Sequence, residues 1–191
     1  MGVFATSFVD GLRAQAQRPS FCEALERCRA KLGADHPGTL AATGNLAGAY
    51  LAAKQPDKGI PLLDQFLVAQ RRQLGPRHIR LAALLSSAGL DLLKYGHYEK
   101  AEPILRECLL IRETTVPDDW TTFHARSMLG ASLLGQHRYI EAEPLIVQGY
   151  EGMKTRAETI PPRDKQRLGE ARERLVELRR SLPFGIVPLV P

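Results

Sequence analysis

The same wording returns along this chain every 41 or 42 residues, and that period limits what the chain can fold into. Tyr98-Glu99-Lys100-Ala101-Glu102-Pro103-Ile104-Leu105 is answered 41 residues later by Tyr139-Ile140-Glu141-Ala142-Glu143-Pro144-Leu145-Ile146. The same frame stands 42 residues earlier as Pro56-Asp57-Lys58-Gly59-Ile60-Pro61-Leu62-Leu63. Upstream of it, Leu32-Gly33-Ala34-Asp35-His36-Pro37 parallels Leu74-Gly75-Pro76-Arg77-His78-Ile79, and one further step lands on the polar loop Val116 to Trp120. A unit this short cannot bury its own apolar face, so neighbouring units must stack and share a core along the array. The 191 residues hold about four and a half such units, and a hydrophobic content of 44% is enough to fill them.

Each unit reads as two helices. The first runs from Pro37 to Ala53 in unit one, with proline at the helix start and Asp35 or His36 able to cap it. Leu46, Tyr50 and Ala53 fall on one stripe. The second runs from Asp57 to Gln73, with Leu62, Leu63, Phe66 and Leu67 apolar, Arg71 and Arg72 in the last turn, and Gly75 as the stop. The repeated Pro61, Pro103 and Pro144 are placed near the first turn of each second helix. Phe21 to Lys31 reads as the second helix of a preceding unit, and Gln166 to Arg180 as a further helix with Leu168, Ala171, Leu175 and Leu178 on its apolar stripe. No segment alternates as a strand does. The expected fold class is therefore all-α, an α-solenoid of antiparallel helix hairpins. The expected division is an N-terminal extension over 1–20, an array over 21–180 and an apolar, proline-rich tail over 181–191. The array splits into a half repeat 21–31, repeats 32–73, 74–115 and 116–157, and a capping helix 158–180.

The small residues Ala47, Gly89 and Gly130 in the first helices, with Gly59, Ala101 and Ala142 in the second, give the pattern of the tetratricopeptide repeat. Leu46, Tyr50, Leu92, Tyr98, Leu133 and Tyr139 fill its large positions. The chain resembles that family over about residues 21–180. The 42-residue period and the wording of Leu32 to Tyr50 resemble the kinesin-light-chain type. The stretch Pro117 to Pro162 is similar to the closing repeats of arrays linked to bacterial serine/threonine kinases. That resemblance implies a tetratricopeptide superhelix in a bacterial, cytoplasmic protein. It carries over no kinase activity, because the chain has no glycine-rich loop, no His-Arg-Asp catalytic loop and no Asp-Phe-Gly.

A search for chemistry finds little. His36 and His78 occupy equivalent turns and read as caps, while His97 and His137 lie in inter-helix turns exposed to solvent. Cys22, Cys28 and Cys108 are too scattered for a disulfide framework or a zinc site and read as free thiols in a reducing compartment. The pairs Glu99/Glu102 and Glu141/Glu143 belong to the repeat wording and read as solvated. Trp120 is expected to plug the junction between units two and three. The net charge of +5 is mild, and the nine Lys and Arg from Lys154 to Arg180 are interleaved with acids, a pattern of a solvated helix face rather than a nucleic-acid surface. No stretch approaches a membrane span, and Gly2 with Thr6 meets only a loose myristoylation pattern. No cofactor, metal, nucleic-acid or membrane partner is expected, and no enzyme.

The resemblance places the peptide-binding groove on the first helices. Its frame gives Ala41, Gly44, Asn45, Gly48 and Ala52 in unit one, and Ala83, Ser86, Ser87, Leu90 and Lys94 in unit two. In unit three it gives His124, Ser127, Met128, Ala131 and Gly135. Asn45 stands where the family often holds a peptide backbone, since an amide both donates and accepts. The resulting expectation is a non-enzymatic scaffold binding a protein, peptide or helix. The alternatives are an oligomerising fragment of a longer array, self-associating through its terminal repeats, and a regulatory partner of a serine/threonine kinase.

Overall fold

The computed structural model describes residues 20–181, and every described regular element is helical. The chain divides into two compact units after Pro76. The first holds α1 (residues 20–32), α2 (Pro37–Ala52) and α3 (Pro56–Leu74). The second holds α4 (Ile79–Lys94), α5 (Tyr98–Thr115), α6 (Trp120–Gly135), α7 (Tyr139–Thr155) and α8 (Gln166–Ser181), with two short 3-10 turns, Ala157–Thr159 and Pro162–Asp164, before α8. Consecutive helices pair as antiparallel hairpins, α2 with α3, α4 with α5 and α6 with α7. The segment 1–19 and the tail 182–191 lie outside the described residues.

The hairpins begin and turn alike. The N-cap imidazole of His36 accepts through Nδ1 from the Gly38 amide at 3.0 Å, and His78 from the Arg80 amide at 3.1 Å. In the third hairpin a carboxylate takes over, with Asp119 accepting from the Thr121 amide at 2.9 Å. Each cap satisfies one of the amides that the first helical turn leaves without a partner. Gly75 ends α3 at φ 84°. The turn inside each hairpin needs the left-handed region at Lys54 (φ 56°), Gly96 (φ 78°) and His137 (φ 62°). Two non-glycine residues are thus held where a Cβ is disfavoured. The three repeat prolines sit at the sixth helical residue, one turn deeper than the first-turn position expected of them. Pro61 and Pro103 are exposed, so the carbonyl that each leaves without an amide can bond to water.

Close approach fixes the hairpin geometry. A Cβ on Gly89 would lie 2.4 Å from Leu105 Cδ2, one on Gly130 2.5 Å from Ile146 Cγ1, and one on Gly59 3.0 Å from the Ala47 carbonyl oxygen. The small residues that carried the repeat pattern are therefore required by packing. Within the second unit, the Tyr98 ring covers Gly135, and Glu102 joins the second hairpin to the third. Glu102 accepts from Arg138 Nη1 and Arg106 Nη2 at 2.7 Å each, and from Gln136 Nε2 at 2.9 Å. This corrects the expectation of a solvated pair, as does Glu143, which is buried.

The core of the first unit gathers Leu25, Ala42 and Leu46 with Phe21, Tyr50 and Leu62 around them. In the second unit, Leu133, Ala142 and Ile146 meet Leu175 and Leu178 of α8. Met153, Ile160 and Ala171 form a further cluster under Trp120, Phe123, Tyr150 and Leu168. Trp120 therefore packs toward α7 and α8 rather than plugging the junction of units two and three, because the 3-10 turns bring Ile160 beneath it. The predicted stripe of α8 is the face it buries. Arg172, Glu173, Glu177, Arg179 and Arg180 occupy the opposite, exposed face, with Val176 the exception.

Candidate functional site

The hairpins distribute charge unevenly. The first helices carry few Asp, Glu, Lys or Arg: none in α2, three in α4 and one in α6. The second helices carry five in α3, seven in α5 and four in α7. A helix face meant only to be wetted is rich in long charged side chains. Between their end turns, the exposed positions of α2 and α4 are instead short. In α2, Ala41 and Asn45 are exposed, with Gly48 and Ala52 half-buried. In α4, Ala83 and Ser87 are exposed, Ser86 and Leu90 half-buried, and Lys94 exposed. The Ser87 hydroxyl donates to the Ala83 carbonyl at 3.3 Å. The Lys94 ammonium lies 5.4 Å from the Tyr95 ring centre. Burial raises the Asp91 carboxyl above its ordinary value, and the charge of Lys94 offsets part of that rise.

The third hairpin departs from the expected groove. His124 is 6% exposed, and Ser127 and Met128 are 0% exposed, so none of the three offers open surface. α8 lies against α6, and Arg174 Nη1 donates to Ser127 Oγ at 3.3 Å. The absence of a side chain at Gly149 lets α7 close on the backbone of Ser127. Gly135, expected in the same groove, is covered by Tyr98. Arg174 belongs to this buried region rather than to the solvated face assigned to it, because it is on the α6 side of α8, seven residues from Arg167 and four from Glu170.

Sequence reasoning did not anticipate the polar environment that forms there. Burial pushes the His124 imidazole down to about 3, helped by the positive charges of Arg174, Arg167 and Arg112. The ring is neutral at ordinary pH, stacks obliquely 6.1 Å from Trp120, and leaves Nε2 without a partner. Arg112 is 7% exposed; one Nη donates to Thr121 Oγ1, and its Nε also lacks a partner. Glu170 pairs with Arg167 at 3.0 Å and with Arg174 at 3.6 Å. The sequence signal for this region was an Arg, Glu, Arg run at helical spacing on α8, but the register of α8 on α6 was needed to read it.

The remaining ionisable groups hold structure. Burial by itself would raise the Glu102 carboxyl, but hydrogen bonds from Gln136 and Arg106 and the charges of Arg138 and Arg106 hold it below the usual range. Cys108 is buried with its thiol donating to the Ala82 carbonyl, and burial raises its pKa against the pull of Arg112. All three cysteines are free. Among the described residues no His, Cys, Asp and Glu side chains gather in a set able to hold a metal ion. No described helix is long and apolar enough to cross a membrane.

Stacked helix hairpins with small residues at each crossing define an α-solenoid. Residues 40–114 match the tetratricopeptide repeat family model. Two crystal structures share the fold. One is of nearly identical TPR-like repeats from a protein assigned as a kinesin light chain of Podospora anserina; it is 21% identical over 95% of this chain and 97% of that one, at a TM-score of 0.57. A Q17M form of that protein is 20% identical over 95% and 96%, at 0.59. This is the kinesin-light-chain-like repeat fold expected from the sequence, and here the neighbour is fungal. No curated protein matches the chain.

Proposed function

We propose that this chain is a non-enzymatic scaffold that holds a peptide or helix against the first helices of its hairpins. Tetratricopeptide repeats in general mediate protein–protein interaction, which supplies the broad class. The observation that supports the finer reading is the charge asymmetry between first and second helices. Short side chains leave room for the ligand's own, and an apolar or weakly polar ligand is not repelled by a face without charges. On α2 the positions are Asn45, Gly48 and Ala52; on α4 they are Ser86, Ser87, Leu90 and Lys94. Asn45 is suited to pair with a peptide backbone. The burial of His124, Ser127 and Met128 removes them from that surface and gives them a packing role under α8. Free cysteines suit the cytoplasmic setting that the sequence suggests.

The test uses the whole chain as bait, beside the double variant Asn45→Ala with Lys94→Ala. Both side chains are exposed, so the variant is expected to fold. Loss of captured partners supports this reading. Capture of the same partners at the same yield overturns the role of these first-helix faces.

A further inference from the structure

We propose that the junction of α5, α6 and α8 binds one oxyanion, a carboxylate or phosphate group, between Arg112, Arg167 and Arg174. This stands apart from the first-helix reading, since it rests on other residues. Two buried side-chain nitrogens without partners are found among the described residues, Arg112 Nε and His124 Nε2, and both lie in this one region. Thr121 links them: it accepts from Arg112 and is three residues before His124 on α6. Buried nitrogens of this kind call for an acceptor, because each loses its hydration without compensation.

Charge decides what kind of acceptor fits. Arg112 and Arg174 bond Thr121 and Ser127, three residues to either side of His124 on α6, and Glu170 bonds Arg174 and Arg167. The next acid along α8, Glu173, is exposed and adds a smaller pull on Arg174 than Glu170 does. Asp119 is linked to Arg112 through the Thr121 hydroxyl. A water molecule would satisfy the two nitrogens and leave the positive excess in place. An anion satisfies both needs, and planar guanidinium donors match oxyanion geometry. The neutral His124 can donate to the same anion without adding charge. Arg167 and Arg174 retain a quarter and a seventh of their side-chain exposure, so both guanidinium groups are partly open to solvent.

The experiment follows the ring nitrogens of histidine in the full chain, labelled with nitrogen-15, during titration with sodium phosphate or sodium acetate. Sodium chloride keeps the ionic strength constant. A saturable shift of His124, absent from His36 and His78, supports the proposal, together with a rise in Tm of roughly 3 °C or more near saturation. Arg167→Gln should weaken the response about tenfold or more while leaving the Tm in chloride nearly unchanged. A response to phosphate alone assigns a phosphate ligand, and to acetate alone a carboxylate. No shift beyond that of chloride, or an equal shift in Arg167→Gln, means a water-filled region and overturns the proposal. The Asn45→Ala, Lys94→Ala variant should bind the oxyanion as wild type does, so failure here and failure of the first-helix reading are told apart.

Discussion

His124 makes the second unit sensitive to acid. Its folded-state pKa of about 3 lies below the unfolded value near 6.5, so the unfolded chain takes up the proton first as pH falls. The stability held by the neutral ring is complete above about 6.5 and is lost progressively down to about 3. The loss is bounded at about 5 kcal/mol, the span of the shift. Urea unfolding across that window should show the decline, and His124→Gln, which has no proton to take up, should flatten it. A second residue-scale prediction concerns Lys54, held at φ 56° where the second hairpin has Gly96. Lys54→Gly should raise stability by about 0.5–1 kcal/mol, seen as a higher midpoint in urea at unchanged slope.

Among the elements, two glycines in helices have opposite surroundings. A Cβ on Gly130 would meet Ile146 Cγ1 at 2.5 Å and the Ile146 backbone nitrogen at 3.0 Å, whereas one on Gly169 meets nothing within 4 Å. Gly130→Ala should therefore cost about 1–3 kcal/mol through overpacking, despite the better helix propensity of alanine. Gly169→Ala should gain about 0.5–1 kcal/mol from the same propensity. Thermal unfolding of the two variants decides both signs. The hairpins themselves were legible because the helix starts, small residues and prolines repeat, so each copy corroborates the others. What was not legible sits where the wording stops repeating. α8 has no second copy in the chain to align it with, so the inward turn of Arg174 and the burial of Ser127 and Met128 depended on a register that no period encodes. Trp120 was misplaced for the same reason: its cover comes from Ile160, in the irregular stretch between α7 and α8.

For the molecule as a whole, α8 is the element that closes the second unit. It covers Leu133, Ile146 and Met153 with Ala171, Leu175 and Leu178, and turns a charged face outward. A chain ending at Asp164 should accordingly expose the inner faces of α6 and α7. It should bind a hydrophobic dye and unfold at lower urea than the full chain, with a loss of several kcal/mol from those buried side chains. Full-length stability in that truncated form would show that α8 is an ornament rather than a cover.

The three helix starts are also fastened by two chemistries. His36 and His78 hold their amides with a ring nitrogen, and Asp119 holds its own with a carboxylate oxygen. What the three starts share is the place of the acceptor, two residues before the amide it holds. The cap of a hairpin is thus interchangeable in kind: the repeat demands an acceptor at that point and leaves its chemistry open.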